Sequence, residues 1–212
     1  MLPAALTAQP EAGPALQRAS IVVWAVKPQT FKDAAAQAKA HTQQALHLSV
    51  AAGIRSDSIA QWLGTERVVR TMPNTPALVG KGMSALYARP GVSAAQRQSV
   101  EAIMATTGEF LWVENEKQLD AVTALSGSGP AYVFYFLEAM RDAGARMGLA
   151  PEVAQQLAIG TFIGAATLAQ RSSEPLQTLR ERVTSKGGTT YAAITSMEAS
   201  GVKAKFEGAL FA

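Results

Sequence analysis

Hydrophobic and polar residues follow two different patterns along the chain, and the change falls near residue 116. In the first part, short apolar runs do not alternate with polar residues, which is typical of strands buried on both faces of a sheet. These runs cover residues 20–27, 46–53, 67–72, 83–88 and 110–114. Helical patterns lie between several of them, at residues 30–40, 56–64 and 93–108. This alternation predicts βαβ units and a mostly parallel sheet.

The second part shows only helical periodicity. Long helices are predicted at residues 130–147, 151–170, 174–183 and 190–200, with no strand among them. The two patterns together predict an α/β domain at residues 1–116 and an all-α domain at residues 117–212.

One helical segment has no charged residue, so a membrane-spanning helix has to be considered for it. Residues 153–170 are long enough to cross a bilayer, and Gly160 and Gly164 form a GxxxG pair that allows close helix packing. Several Gln and Thr residues dilute the segment, and no aromatic belt flanks it. We therefore favour a helix buried inside an assembly of chains.

Composition narrows the function only a little. The net charge of +3 comes without a block of Lys or Arg, which is compatible with a phosphate-bearing cofactor and is weak evidence for nucleic-acid binding. The absence of cysteine excludes disulfides and thiolate chemistry, and a cytoplasmic location is expected. His41 and His47 have no partners at metal-ligand spacing, so we expect surface or loop residues and no metal site.

Three short motifs follow predicted strands, at the edge where open α/β sheets bind ligands. AVKPQ (residues 25–29) brings a lysine and a proline to the end of the first strand, and VAAGI (50–54) brings small residues to the end of the second. MPNTPA (72–77) places Asn74 between two prolines. Each motif can be explained structurally, as the end of a strand or a rigid turn, or functionally, as a loop that faces a cofactor.

Two stretches combine glycine with hydroxyl residues. In TALSGSGPAYVFYF (123–136), Ser126 or Ser128 can cap a helix that starts near Pro130. In RVTSKGGTTYAAI (182–194), a Gly-Gly turn leads into another helix start. Ordinary capping explains either stretch alone, but the free N–H groups of a helix start also bind anions. The two stretches together predict a small anionic ligand held between helix ends.

The motifs AVKPQ, SVAAGI, MPNTPA, ALSGSGPAY and VTSKGGTT occur in the order and approximate spacing of the pyrroline-5-carboxylate reductase family. The chain resembles that family from about Leu6 to its last residue, and SGSGPAY and GGTT are the most specific pieces. The resemblance implies a Rossmann-like parallel-sheet domain followed by a helical dimerisation and substrate domain. It also implies NADPH- or NADH-dependent reduction of 1-pyrroline-5-carboxylate to L-proline, in proline biosynthesis, by a homodimer or larger homo-oligomer.

The same resemblance assigns site residues motif by motif. The cofactor-binding residues that it implies are Ala25, Val26, Lys27, Pro28, Ala51, Ala52, Gly53 and Asn74. The substrate-binding residues that it implies are Ser126, Gly127, Ser128, Gly129, Val183, Ser185, Gly188, Thr189 and Thr190. Thr190 resembles the family threonine that hydrogen-bonds near the ring nitrogen, and it is therefore the candidate catalytic residue.

These residue types suit hydride transfer to a cyclic imine. Once protonated, such an imine accepts hydride at carbon without a strong general acid, so the protein mainly has to orient the reactants and hold the carboxylate. The hydroxyl of Thr190 can orient the ring nitrogen more readily than it can protonate it. The small residues at 126–129 leave room for a five-membered ring.

The chain departs from the family in three places. No GxGxxG turn precedes the first strand, so we expect either that the fold begins differently or that the opening βαβ unit is missing. Without that unit the chain lacks the turn that grips the pyrophosphate and the residues that select NADP or NAD. Lys186 stands where many relatives have proline, which makes the turn less rigid. Residues 203–212 read as an unfinished helix, so a fragment, a truncated gene product or an internal numbering is expected.

The sequence does not exclude two other functions. One is a catalytically silent oligomerisation remnant of the same fold, which the missing glycine motif favours and which dinucleotide affinity would distinguish. The other is a related imine or hydroxyacid reductase. The combination of SGSGPAY with GGTT argues against the second alternative, and a substrate screen would settle it.

Overall fold

The computed structural model describes residues 7–212, which form two compact units. The first unit extends to Pro130, and the second covers Ala131–Ala212. The sequence pattern predicts a domain boundary at residue 116, whereas in the structure residues 117–130 belong to the same compact unit as the sheet. The boundary at residue 116 therefore remains a prediction.

The described part of the first unit contains a five-stranded sheet with the order β1-β2-β3-β4-β5. The strands are β1 Ile21–Trp24, β2 Leu46–Ser49, β3 Val68–Met72, β4 Gly82–Ala88 and β5 Gly108–Trp112. β1, β2 and β3 are parallel to one another, with Trp24 opposite Ser49 and Ser49 opposite Arg70. β4 runs antiparallel to β3, and β5 runs parallel to β4. The prediction of a mostly parallel sheet is confirmed.

Helices lie between these strands. They are α1 Phe31–Ala38, α2 Ser56–Leu63 and α3 Ala94–Ala105, with short 3₁₀ turns at Pro14–Arg18, Pro28–Thr30, Lys39–His41 and Thr75–Val79. α2 ends at Gly64, whose φ of 71° is the left-handed value that stops a helix. α3 begins with a capping box, in which the side chains of Ser93 and Gln96 each accept a hydrogen bond from the other's backbone N–H.

Buried side chains form a hydrophobic cluster on each face of the sheet. Neighbouring residues of a strand point to opposite faces, so Val68 belongs to one cluster and Val69 to the other. The first cluster includes Phe31 of α1 and Leu63 of α2, and the second includes Val100 of α3. Helices therefore cover both faces of the sheet, as in doubly wound α/β folds.

The first strand is less buried than its apolar sequence predicts. Among the described residues, no strand pairs with the outer edge of β1, and Val23 is 49% exposed while Trp24 is buried. An apolar run without alternation identifies a strand but does not tell whether it has one neighbour or two. The prediction of a fully buried strand is therefore wrong for β1.

A helical segment that the sequence analysis did not predict follows β5. It consists of α4 Gln118–Val122 and a π-helical turn Thr123–Gly127, and it continues into α5 Gly129–Arg146. Leu119 is 1% exposed, so α4 is anchored in the first unit. The boundary between the two compact units falls inside α5, after Pro130.

The second unit contains helices and no strand in residues 131–212, as predicted. Besides the main part of α5, it contains α6 Pro151–Arg171, α7 Leu176–Arg182, α8 Thr189–Ala199 and α9 Val202–Leu210. α5 and α6 approach closely at Gly144, where an added Cβ would lie 2.8 Å from the Cβ of Ala154. A side chain at position 144 would push the two helices apart, so glycine is needed for this contact.

The uncharged stretch of α6 is largely exposed in the single chain. Leu157 and Ile163 are 57% and 63% exposed, and a Cβ added at Gly160 or Gly164 would meet nothing within 4 Å. Apolar side chains exposed along one helix are typical of a surface that another protein surface covers. Of the helices in residues 7–212, none combines the length and hydropathy of a membrane-spanning segment.

Candidate active site

Three short loops leave the sheet at the same edge. Since β1, β2 and β3 are parallel neighbours, the segments that follow them start from one edge. They carry every residue that the sequence assigns to the cofactor: Ala25, Val26, Lys27 and Pro28 after β1, Ala51, Ala52 and Gly53 after β2, and Asn74 after β3. The fold therefore brings these residues, which are distant in sequence, to one edge of the sheet.

This edge exposes small side chains and backbone. Ala25, Lys27 and Ala52 are exposed, while Ala51 is buried against the sheet. Gly53 has a φ of 75°, which a residue with a side chain rarely adopts, and a Cβ added there would meet nothing within 4 Å. Small residues and an exposed cation at the carboxyl ends of parallel strands fit an anionic dinucleotide that lies close to the backbone.

A buried aromatic pair holds the end of β1. Trp24 Nε1 donates a hydrogen bond to Nδ1 of His47 at 3.0 Å, and the indole stacks on Phe31 with ring centroids 4.9 Å apart. Burial lowers the pKa of His47 to about 4; a hydrogen bond with the Thr42 backbone opposes this shift, and the charge of Arg67 adds to it. The prediction that His47 is a surface or loop residue is therefore wrong.

The other histidine, His41, is half-buried at the end of the 3₁₀ turn Lys39–His41. Within the part of the chain that the structure describes, no group of three or more His, Asp or Glu side chains could hold a metal ion.

Asn74 connects two segments beside the third loop. Its Nδ2 donates to the backbone carbonyl of Ser126 at 3.1 Å, and its Oδ1 accepts from the N–H of Met83 at 2.9 Å. The side-chain amide therefore fixes the π-helical turn against the start of β4. In this structure the loop residue assigned to the cofactor also determines where residues 126–129 lie.

The stretch around Ser126 is not a helix start. The N–H of Ser128 donates to the carbonyl of Thr123 at 2.8 Å, and the hydroxyl of Ser126 donates to the carbonyl of Val122 at 3.3 Å. Ser126 therefore bonds backward into a helix that has already begun. The predictions of a cap at Ser126 or Ser128, and of an anion site made by that helix start, are wrong. A π turn inserted in a helix is a frequent feature of functional sites, and residues 126–129 are half-buried here.

A buried carboxylate lies just before this segment, at a position that the sequence analysis missed. Glu116 Oε1 accepts hydrogen bonds from the N–H of Ser56 at 2.6 Å and from Nη1 of Arg70 at 2.7 Å, and its Oε2 accepts from Ser56 Oγ at 2.6 Å. Burial alone would raise the pKa of Glu116, but the bonds from Ser56 and Arg70 outweigh it and lower that pKa. An arginine in the middle of an apolar strand, such as Arg70, needs an acidic partner when it is buried. Arg70 was therefore the one sequence feature that indicated a buried carboxylate.

A second arginine continues this network. Arg89 donates from Nε to Glu66 at 2.7 Å and from Nη1 to Ser56 Oγ at 3.2 Å, and it also bonds to Asp57. The hydrogen bonds to Glu66 and Asp57 raise the pKa of the guanidinium, and the bond from Arg89 lowers the pKa of Asp57. The start of α2 is thus surrounded by paired charges.

In the second unit the predicted helix start is confirmed. α8 begins at Thr189 after the cap residue Gly188, and Gly187 before it has a left-handed φ of 80°. The Gly188 N–H donates to the carbonyl of Ser185 at 3.0 Å, which closes the turn. No side chain caps the helix, and its first turn contains no acidic residue. Free N–H groups of this kind suit a carboxylate.

The substrate residues assigned from the sequence fall into two groups, one in each unit. Ser126, Gly127, Ser128 and Gly129 belong to the first unit, and Val183, Ser185, Gly188, Thr189 and Thr190 belong to the second. In the second group, the side chains of Val183, Thr189 and Thr190 are exposed around the start of α8.

Comparison with known proteins shows what the chain is similar to. A family model described as pyrroline-5-carboxylate reductase dimerisation matches residues 116–212. The pyrroline-5-carboxylate reductase of Pseudomonas aeruginosa is 48% identical over 198 residues, which cover 92% of this chain and 72% of that protein. The Arabidopsis thaliana reductase is 37% identical over 198 residues, covering 93% of this chain and 71% of that protein.

Solved structures show the same likeness. The pyrroline-5-carboxylate reductase of Coxiella burnetii matches with a TM-score of 0.87 at 38% identity, over 92% of this chain and 73% of that one. The pyrroline carboxylate reductase of Plasmodium falciparum, solved with NADP bound, matches with a TM-score of 0.85 at 31% identity, over 92% of this chain and 74% of that one.

The fold and the site define a class of two-domain proteins, in which a Rossmann-like sheet domain precedes a helical dimerisation domain. Reductases of this name are 48% and 37% identical to the chain over more than nine-tenths of its length. The chain belongs to the pyrroline-5-carboxylate reductase family.

Proposed function

We propose that this protein reduces 1-pyrroline-5-carboxylate to L-proline with NADPH or NADH, as an oxidoreductase of proline and amino-acid biosynthesis. The observation that carries the proposal is the gathering of three small-residue loops at one sheet edge, beside the Asn74–Ser126 contact, in a member of this family. Its relatives bear the name of that reductase, and the one from Plasmodium falciparum was solved with NADP.

The cofactor is assigned to the carboxyl edge of β1, β2 and β3. Residues 25–28 would line the nicotinamide and ribose side, and residues 51–53 would lie next to the same group, where small side chains admit it. Asn74 would lie beneath it, held by its bonds to Ser126 and Met83. When bound, the reduced nicotinamide supplies the hydride for the reaction.

The substrate carboxylate is assigned to the start of α8. Ser185, Thr189 and Thr190 offer hydroxyl donors there, and the first N–H groups of the helix add to them after the cap residue Gly188, whose own N–H closes the turn. The helix dipole favours a negative charge at this end. Val183 offers an apolar side chain beside these donors, and residues 126–129 of the first unit keep the substrate-binding role that the family resemblance implies. None of these groups is ionisable, which suits a reaction that needs orientation more than acid–base chemistry.

Thr190 is assigned the role of orienting the ring nitrogen. The overall reaction takes one hydride at the imine carbon and one proton at the nitrogen, which gives the secondary amine of proline. The threonine hydroxyl accepts a hydrogen bond from the protonated imine and keeps the ring in place while the carbon is reduced.

Assembly into a homodimer or larger homo-oligomer is part of the same proposal. The exposed apolar residues of α6 and the dimerisation family match of residues 116–212 support it. Light scattering at micromolar concentration should therefore give at least the mass of a dimer. A monomeric mass would contradict this assignment of the helical unit. A cytoplasmic location is likewise proposed, and a cysteine-free chain suits a reducing compartment.

The first test is NADPH binding to the 212-residue chain, followed by oxidation of NADPH on addition of 1-pyrroline-5-carboxylate. Binding with substrate-dependent oxidation and proline formation is the expected result. A folded dimer that binds no NADPH would overturn the proposal and leave a silent scaffold. Binding with turnover of other imines or hydroxyacids, but not of this substrate, would point to a related reductase.

A further inference from the structure

A buried carboxylate that is not among the assigned site residues connects three segments that carry them. The side chains of Arg70 and Glu116 are 9% and 11% exposed, and together with Ser56 they form three short hydrogen bonds at 2.6–2.7 Å. A desolvated carboxylate with three donors holds its partners much more firmly than an exposed ion pair does.

Each member of this cluster leads along the chain to part of the candidate site. Ser56 begins α2 directly after the loop that ends at Gly53. Arg70 lies on β3, which leads to Asn74. Glu116 precedes α4 and the π turn, and the π turn contains the first of the half-buried residues 126–129. The carboxylate therefore sits where three site-bearing segments can be held in one arrangement.

The segment from Glu116 to Gly127 is the least firmly held of the three. α2 is anchored by fully buried side chains such as Ile59, and β3 is paired with strands on both of its sides. In the α4 segment, Leu119 is the one fully buried side chain among residues 116–127, and the hydrogen bonds of Glu116 at its start and of Asn74 near its end add to the packing of α4 against β4. Removing the Glu116 clamp should therefore displace this segment rather than its partners.

We propose that the Ser56–Glu116–Arg70 cluster is a positioning device for the reaction, which fixes residues 116–127 so that residues 126–129 keep their place beside Asn74. Glu116 is a positioning residue, since it acts through the backbone of the segment that follows it. The inference rests on the proposed function for its catalytic consequence, while the fixing of the segment is a structural statement that stands separately.

The test variant is Glu116→Gln, which keeps the size of the side chain but replaces one acceptor oxygen by an NH₂ group that faces donors. We expect KM for 1-pyrroline-5-carboxylate to rise and kcat to fall by about tenfold each, because small displacements of a positioning segment cost this much or more. The dissociation constant for NADPH should change by less than about twofold, since the loops after β1 and β2 keep their own anchors.

Glu101→Gln is the matched control. Glu101 Oε1 accepts a hydrogen bond from Trp112 Nε1 at 2.7 Å in the same unit, and it is also partly buried. This variant removes a hydrogen-bonded carboxylate of the same kind without touching the α4 segment, so its kcat and KM should match those of the wild type.

A graded series keeps the inference testable if Glu116→Gln does not fold. Arg70→Lys keeps the positive charge on a shorter donor group. Ser56→Ala removes one of the three bonds to Glu116, together with the longer bond that Ser56 Oγ accepts from Arg89. Both should shift KM and kcat in the same direction as Glu116→Gln, by smaller factors, again with little change in NADPH affinity. Unchanged kinetics in both variants would overturn the inference.

Amide hydrogen exchange separates this inference from the proposed function. In Glu116→Gln, amides of residues 117–127 should exchange faster while those of α3 stay as protected as in the wild type. If the wild type itself does not reduce the substrate, the proposed function fails, and exchange alone decides the inference. Exchange that is unchanged at residues 117–127, or raised equally throughout the first unit, would show that the cluster has no local positioning role.

Discussion

The two stretches that combine glycine with hydroxyl residues, 123–136 and 182–194, look alike in sequence and differ in structure. Around Ser126, the chain is already helical, and the glycines lie in and after a π turn that the helix passes through. Around Thr189, the chain has left α7, turned at Gly187 with φ at 80°, and begun a new helix. The first stretch has its Ser128 N–H bonded within the segment, and the second ends in an uncapped helix start.

The difference shows what makes a helix start. Serine, glycine and proline in the order of a cap are not sufficient, because Leu119 and Asn74 hold the residues before and within the first stretch in helical form. The second stretch follows α7, which ends at Arg182, and turns at the left-handed Gly187 before a new helix begins, whereas the first stretch has no such turn. One stretch therefore offers a half-buried notch and the other offers free N–H groups.

The largest expected difference between the two units is in their stability in acid. His47, in the sheet, has a pKa of about 4 in the folded protein against 6.5 in a free chain. The unfolded chain thus binds more protons than the folded chain between these pH values, so the contribution of His47 to stability is fully present above pH 6.5 and is lost as the pH drops toward 4. The difference corresponds to about 3 kcal/mol. Urea unfolding monitored by fluorescence at several pH values would measure it.

His47→Gln is the control for this acid effect, because it removes the titrating group. The variant should lose the slope of stability between pH 6.5 and about 5, above the range where most carboxylates titrate. An unchanged slope in the variant would contradict the role of His47. Hydrogen exchange should also show β1 and β2 opening before the helices of the second unit.

Asn74→Ala should remove the clamp that distinguishes the first stretch from the second. It leaves the Ser126 carbonyl and the Met83 N–H without their partner, at a cost of about 2 kcal/mol in the unfolding free energy of the first unit. Asn115→Ala is the matched control, since Asn115 Oδ1 accepts from the exposed N–H of Lys117 at 2.9 Å. An equal loss of unfolding free energy in both variants would show that the two hydrogen bonds of Asn74 stabilise the unit no more than an exposed one does.

Thr190→Ala tests the chemical role of the second stretch. We expect turnover to fall by about tenfold with little change in NADPH affinity, because the hydroxyl is assigned to the substrate. Thr161→Ala, on α6, removes a threonine hydroxyl that donates to the Leu157 carbonyl at 2.8 Å and should leave turnover unchanged. Equal loss of turnover and NADPH affinity in Thr190→Ala would place Thr190 outside the substrate pocket.

Two glycine-to-alanine changes should have the smallest effects, of opposite sign. Gly187→Ala forces a side chain into the left-handed region and should cost about 1 kcal/mol. Gly129 lies in α5 without a positive φ and with nothing within 4 Å of an added Cβ, so Gly129→Ala should stabilise the helix by up to about 1 kcal/mol. Thermal unfolding of both variants, followed by circular dichroism, would compare them. A change of the same sign in both variants would contradict the difference in backbone conformation between the two stretches.

Periodicity was sufficient to predict most elements, because strands and helices impose different spacings on apolar residues. The five apolar runs became β1 to β5, and the loops after three of them came together because parallel strands end at one edge. The position of β1 in the sheet was not predictable, because pairing partners are set by the fold and not by the run itself.

The π turn and the Glu116 cluster depend on contacts that no local pattern encodes. Ser56 and Glu116 are far apart in sequence, and only the folded chain shows that the N–H of one meets the carboxylate of the other. Arg70 within an apolar strand was the one local sign of that cluster. His47 was misread for a similar reason, because its partner Trp24 lies on another strand.

The aromatic pair at the end of β1 also gives the molecule an optical label. All three tryptophans of the chain, Trp24, Trp62 and Trp112, lie in the first unit. Tryptophan emission therefore monitors the sheet unit alone, while far-ultraviolet ellipticity is weighted toward the helical unit. Trp24 directly precedes the loop at residues 25–28, and its indole N–H is bonded to His47. Its emission can thus follow both ligand binding at that edge and the protonation of its partner, without an added dye.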